Sequence, residues 1–264
     1  MKFIIIFYRF LLTLRYKVEI KGEEVLQGNS SKFILPNHQA IVDPQILFVY
    51  ISKYLKVVPV VSEVYSGQPI LKNIFKNLDA IPVSDLSAGS RDTKVLNSIL
   101  FNTTNALKND KNVLLYPSGQ IAGQGYEKIF NKQSAWTVVC NLPENTKVIG
   151  VRINGLWGSI WSKAWTGKSP NFTKTFLKGI LYAFANFILF IPKRKITIEF
   201  CDITAKAKEK AKDSKFVFNS FLEEFYNKNG EEQVTFLKHY FFVPKLKRNL
   251  PKKINGSIKD NFAV

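Results

Sequence analysis

The 264 residues carry 38 Lys and Arg against 20 Asp and Glu, a formal charge of +18, on a chain that is 46% hydrophobic and 14% aromatic. Disordered basic tails and histone-like proteins carry their charge on apolar-poor chains, so this composition excludes both and sets the charge on a folded body able to bury a core. Such a body suits an anionic partner, and the abundance of Phe and Ile favours a membrane surface over nucleic acid.

From the N-terminus, an apolar stretch over residues 3–14 is broken only by Arg9 and is followed by Arg15, Tyr16 and Lys17, with no small residue before Gly22. A signal peptide needs an unbroken apolar core and a small-residue cleavage site, and a bilayer span needs about 20 apolar residues, so neither fits. Residues 1–20 read as a helix lying in a membrane interface, with Arg9 and Arg15 reaching to headgroups; an ordinary core helix is the alternative. β-rich strings at 32–35, 57–61, 80–83, 113–116, 148–153 and 196–200 then alternate with helical stretches at 44–54 and 93–107. This α/β alternation predicts a mixed, mostly parallel sheet flanked by helices, in a domain over 21–205.

Within that domain the run 179–192 (GILYAFANFILFIP) holds no charge and is followed by Lys193, Arg194 and Lys195. As a helix it would reach about 21 Å, short of a hydrocarbon core of about 30 Å. It reads as a helix facing one leaflet, and a buried amphipathic helix fits its length as well. Beyond residue 205 the chain is charged and helical, with an apolar stripe of Phe216, Phe218, Phe221, Leu222 and Phe225 and a basic end at Lys245, Lys247 and Arg248. It reads as a basic helical C-terminal extension over 206–264.

Cys140 and Cys201 form neither a disulfide framework nor a metal-ligand pattern, and two histidines cannot build a His-rich zinc site. No metal is expected, and two reduced cysteines suit a cytosolic-facing protein. An imidazole acid or base is therefore His38 or His239. His239 has no carboxylate at a useful spacing and reads as structural. His38 lies after the apolar string Phe33-Ile34-Leu35 and before Asp43-Pro44, where Asp43 suits a helix N-cap and Pro44 a first helical position. In one continuous helix the two side chains would point apart, whereas a strand-to-helix turn folds the carboxylate onto the imidazole. A carboxylate on one ring nitrogen fixes the tautomer and leaves the other to take a proton from a hydroxyl. A plain Asp-Pro cap beside a loop histidine is the competing reading.

Asn37-His38, four residues and then Asp43 resembles the first motif of the glycerolipid acyltransferases related to 1-acylglycerol-3-phosphate acyltransferase. Val113-Leu114-Leu115-Tyr116-Pro117-Ser118-Gly119 resembles the family's third motif, and Val148-Ile149-Gly150-Val151-Arg152 its later strand. The stretch Val151 to Ser159 and the segment from Phe221 to Asn227 are similar to the acyltransferase portion of lysophospholipid acyltransferase/acyl-carrier-protein synthetases. The resemblance implies a glycerolipid-acyltransferase-like fold and transfer of a fatty acyl group from acyl-CoA or acyl carrier protein to the hydroxyl of a lysolipid. It makes His38 the base and Asp43 its orienting partner, and it places Asn37, Tyr116, Pro117, Ser118, Gly119, Gln120 and Arg152 at the substrate. No acyl-enzyme and no cofactor are implied, because the thioester is already activated.

The departures matter as much. The third motif usually offers Glu and then Arg, where this chain has Ser118 and Ile121; the second usually ends in Arg, where this chain has Ser84. Ser and Ile cannot replace the charge with which an Arg fork holds a phosphate, although Arg91 or Arg152 could supply it from elsewhere. A non-phosphate acceptor such as a lyso-aminolipid, or an acyl-lipid-binding pseudo-enzyme, therefore stays open. A serine nucleophile at Ser118 fits poorly, since Tyr116 stands where a nucleophile elbow has glycine. The loop Gly119 to Gly125 lacks the ending of a P-loop and reads as a substrate-contacting turn. Trp157, Trp161 and Trp165 suit either headgroup anchoring or core packing.

No zinc finger, RNA-recognition or helix-turn-helix signature accompanies the charge, so nucleic acid is not an expected partner. Residues 111–195 hold 12 basic and two acidic residues, so +10 of the +18 surrounds the third motif, the Trp cluster and the apolar run. This collar suits anionic headgroups and the acidic or phosphorylated acyl carrier, and it predicts a peripheral or monotopic protein on the cytoplasmic face of a membrane.

Overall fold

The strings rich in branched apolar residues form the sheet. Seven strands are described: β1 Tyr16–Lys21, β2 Lys32–Pro36, β3 Val57–Ser62, β4 Ile81–Val83, β5 Asn112–Leu114, β6 Lys147–Asn154 and β7 Arg194–Asp202. The computed structural model describes residues 2–63, 73, 75–83 and 93–242. Ser84, Arg91 and the basic end at Lys245, Lys247 and Arg248 lie outside them.

The strand order is β1-β7-β6-β2-β5-β3-β4. Every pairing is parallel except that of β6 with β7. The expected mixed, mostly parallel sheet is therefore present. β2 is buried at all five positions, as a strand covered on both faces must be. Its residues alternate between two cores: Ile34 joins one cluster and Phe33 with Leu35 the other, while Ile149, Val151 and Ile153 of β6 share the face of Ile34.

The first face is covered by α1, Lys2–Arg15, and α2, Asp43–Ile51. The second is covered by α3, Thr93–Lys108, α4, Ser134–Cys140, α6, Thr204–Asp213, and α7, Lys215–Tyr226. Helix α5, Phe172–Ala185, touches the first core through Phe172 and otherwise keeps an exposed apolar face.

Three expectations change. β1 falls at the end of the segment read as an interfacial helix: its YKVEIK sequence alternates in burial and pairs along β7, so the helix ends at Arg15. The apolar run 179–192 is not one helix, because α5 starts earlier and ends at Ala185, after which Phe187 and Ile188 take left-handed backbone angles. The supposed C-terminal extension begins inside the domain. Ala207 and Ala211 of α6 and Phe218, Leu222 and Tyr226 of α7 are core residues, and the Tyr226 hydroxyl donates to the Leu35 carbonyl of β2 at 2.9 Å. Glycine makes the α7 contact possible: a Cβ at Gly150 would run into the Phe225 ring. The apolar stripe, not the helix charge, decides where α7 lies.

If α7 belongs to the core, Phe218→Ala should cost about 3–5 kcal/mol in denaturant-monitored unfolding. A loss near zero would show that the helix is an accessory.

Candidate active site

The site is built at the end of β2, at the C-terminal edge of the parallel strands, where α/β sheets present their loops. Asn37 pins this end: its Nδ2 donates to Ile153 O at 2.9 Å, and Ile153 N donates to its Oδ1 at 2.6 Å. The chain then leaves the sheet at His38 and turns into α2, with Pro44 at the helix start. Asp43 is wholly buried at that first turn. Its Oδ2 lies 3.1 Å from His38 Nδ1 and also accepts the Ala40 N–H at 3.0 Å and the Gln39 N–H. Burial pushes the Asp43 carboxyl above the ordinary carboxylate range, and the bonds from His38, Ala40 and Gln39 oppose that shift.

Two further contacts fix the loop. Ile41 N donates to Trp161 O at 3.1 Å, and Ala122 N donates to His38 O at 2.6 Å. The Tyr116 ring lies against the imidazole, with centroids 4.5 Å apart and planes tilted by 42°. The His38 side chain remains 14% exposed, so its edge is reachable from outside. A hydroxyl approaching there would meet a base already held by a carboxylate.

The loop after β5 is folded by its own bonds. Gly119, at φ 63°, donates from its N–H to Tyr116 O at 3.1 Å. The Ser118 hydroxyl donates to Gln120 O at 3.0 Å rather than to the imidazole, which removes the geometry of a serine nucleophile. Pro117 and Ser118 are buried beneath the site, whereas Gly119 and Gln120 are exposed at its rim.

The structure thus gathers His38, Asp43, Tyr116 and Ser118, and it uses Asn37 as the pin beneath them. Arg152 is not among them. Its guanidinium pairs with Glu199 at 2.7 Å, donates to Phe225 O at 3.2 Å and lies over the Phe225 ring, on the opposite face of β6 from the α2 core. His239 stacks between Tyr182 and Trp165, away from Asp43. Trp157 and Trp161 are core residues.

Glu127 is the group that sequence reasoning missed. Its Oε2 accepts the His38 backbone N–H at 2.9 Å. Its own backbone is clamped by Asn227 at the end of α7, through Glu127 N to Asn227 Oδ1 at 2.8 Å and Asn227 Nδ2 to Glu127 O at 2.9 Å. Burial pushes the Glu127 carboxyl up to about 8; the nearby Ser118 hydroxyl and the His38 amide oppose this, and the charges of Asp43 and Glu223 add to it. Gln39 and Glu232 form a second brace: Gln39 Nε2 donates to Glu232 Oε2 at 2.6 Å, and its Oε1 accepts the Leu156 N–H at 3.1 Å. No spacing rule connects residues 39, 127, 227 and 232. Only the odd placement of an acid in a basic, apolar stretch marked Glu127.

The fold and site define an α/β protein with a His-Asp pair, its carboxylate buried and its imidazole edge exposed, at the end of a central parallel strand. Residues 17–154 match the family model described as Acyltransferase, and the chain belongs to that family of acyltransferase enzymes. Its fold is similar to the crystal structure of the 1-acyl-sn-glycerophosphate (LPA) acyltransferase PlsC from Thermotoga maritima. The TM-score is 0.52 at 17% identity, over 84% of this chain and 74% of that one. No curated protein sequence matches the chain.

Because the folded-state value of Glu127 is raised, its contribution is intact in acid and is lost as pH rises from its ordinary range through about 8. Thermal unfolding across this window should show wild type falling progressively behind Glu127→Gln, with the gap levelling above about pH 8. A gap independent of pH would contradict the raised value.

Proposed function

We propose that the enzyme transfers a fatty acyl group from acyl-CoA or acyl carrier protein to the hydroxyl of a lysolipid, 1-acylglycerol-3-phosphate or a related lysophospholipid. The observation that carries this reading is the 3.1 Å contact between His38 Nδ1 and Asp43 Oδ2. With Nδ1–H held by the carboxylate, Nε2 is left as the basic nitrogen. It takes the proton of the acceptor hydroxyl while the oxygen attacks the thioester carbonyl carbon. A C–O bond forms, the carbonyl π pair moves to oxygen, and collapse of the tetrahedral intermediate breaks the C–S bond. The departing thiolate takes the proton from His38, so the base is restored and no acyl-enzyme is needed.

With Arg152 committed to Glu199, Lys163 is the better candidate for an anionic headgroup. It is half-buried beside Trp161, whose carbonyl holds the His38 loop, and its charge is close enough to Glu127 to couple with it. Burial lowers its ammonium from the ordinary value, with Glu127 opposing, so an arriving phosphate would meet an incompletely solvated cation.

Membrane association rests on the apolar surface. Phe176, Leu181 and Phe184 of α5, Phe187, Leu189 and Phe190 beyond it, and Phe7 and Phe10 of α1 are all exposed. Arg15 at the end of α1 bonds to Pro192 O, which ties the two segments together. Lys174, Lys178 and Lys193 border this surface in sequence, the arrangement of an interfacial element that meets anionic lipid. No helix among the described residues is long and apolar enough to cross a membrane. The reading is of a peripheral or monotopic enzyme at the cytoplasmic face.

His38→Ala should lower turnover of an acyl thioester with a lysophospholipid by about 10²- to 10⁴-fold. Unchanged turnover would overturn the base assignment. Separately, Phe184→Asp combined with Leu189→Asp should weaken co-sedimentation with anionic vesicles while leaving the fold intact by circular dichroism. Undiminished binding would remove α5 and its following turn from the membrane surface.

A further inference from the structure

The buried face of the His38 loop holds a second carboxyl group that the base-and-orienter scheme does not use. Glu127 Oε2 accepts the backbone N–H of His38, while Ala122 N–H is donated to the His38 carbonyl. The two peptide groups flanking the His38 Cα are therefore both held from the loop after β5; the first is held by Glu127 without Asp43, and the second is shared with Asp43, which accepts its Gln39 N–H. Asp43 grips the ring and the N–H groups after it, and Glu127 grips the N–H of His38 itself.

We propose that Glu127 is a positioning residue of the acyl transfer, fixing the His38 main chain so that the imidazole meets Asp43 on one side and the acceptor hydroxyl on the other. The inference rests on His38 as the base. It is built from geometry: the carboxyl is 2% exposed, its backbone is clamped twice by Asn227, and the neighbouring Lys128 and Ile129 are held by Glu223 of α7. Movement of α7 would thus be transmitted to the catalytic loop through Glu127.

The group does this work uncharged. His38 and Asp43 face it from the loop before α2, Tyr116 and Ser118 from the loop after β5, Glu223 and Tyr226 from α7, and Lys163 from the turn after Trp161. Two of these are carboxylates, and the buried Glu127 Oε1 finds no hydrogen-bond partner among the described residues. An ionised carboxylate in that position would leave an anionic oxygen buried and unsatisfied, whereas a neutral carboxyl still accepts the His38 N–H through Oε2. A glutamine is then the matching neutral isostere, and alanine removes the acceptor altogether.

The test uses the full chain with ¹³C-carboxyl-labelled glutamate. The resonance that disappears in Glu127→Gln should titrate near pH 8 in wild type. In parallel, Glu127→Ala should lower kcat by about 10²-fold with KM for both substrates little changed, as expected when a base is misplaced by about 1 Å. Glu127→Gln should restore most of that loss at neutral pH, and any inflection near pH 8 in the wild-type kcat profile should be absent from it. A Glu127 resonance that titrates in the ordinary carboxylate range would overturn the neutral state, and a folded Glu127→Ala protein with wild-type kcat would overturn the positioning role. His38→Ala keeps the two readings separate: if it is inactive while Glu127→Ala is fully active, only the positioning proposal fails, whereas an active His38→Ala removes the base on which it rests.

Discussion

One carboxylate oxygen determines the shape of the His38 loop. Asp43 Oδ2 collects the His38 ring and the N–H groups of Gln39 and Ala40, so three consecutive residues close around a single acceptor at the start of α2. Charge-assisted bonds of this kind are roughly twice as strong as neutral ones. The N-terminal end of the helix adds a favourable field for negative charge. Together they oppose the desolvation of a wholly buried carboxylate, which still holds the group above its ordinary range. Without that oxygen the loop would lose two of its backbone bonds and the partner of its imidazole at once.

The rest of the fold supplies walls for this arrangement. Asn37 ties the end of β2 to β6, and Tyr226 of α7 bonds to Leu35 from the other face. The segment after α7 then crosses back over the site: Glu232 binds Gln39 and the Gly155 N–H, its own N–H reaches Gly125 O, and Thr235 N–H reaches Trp157 O. Further along, Asn186 beyond α5 donates to His239 O and accepts the Phe241 N–H. The same strap therefore touches the residue beside the base and the foot of the exposed apolar surface. This continuity gives a physical reason for the His38 loop and the exposed apolar surface to keep a fixed relation.

Much of the architecture was legible in the sequence because burial on two faces writes itself as short runs of branched residues, as at 32–35 and 148–153. β1 was hidden because it is an edge strand of only six residues, directly continuous with α1, and its alternation blends into the amphipathic pattern before it. α7 was misjudged from its charge, while its Phe218, Leu222 and Tyr226 stripe decided its packing. The His38 and Asp43 pairing was readable because it is local, five residues apart across a turn. Arg152 looked available because the arginines the resemblance leads one to expect are missing, and the sequence does not display the Glu199 that β7 brings antiparallel beside it. Glu127 was invisible for the converse reason: its partner is a backbone N–H 89 residues away, and backbone donors leave no signature in side-chain patterns.

The central claim is that Asp43 selects the tautomer of His38 and thereby makes Nε2 the base. Nitrogen-15 spectra of the labelled protein at a pH where the imidazole is neutral test this directly, since only His38 and His239 contribute imidazole signals. The account predicts a protonated Nδ1 and an unprotonated Nε2 for His38, with that preference lost in Asp43→Asn. A wild-type His38 carrying its proton on Nε2 would contradict it.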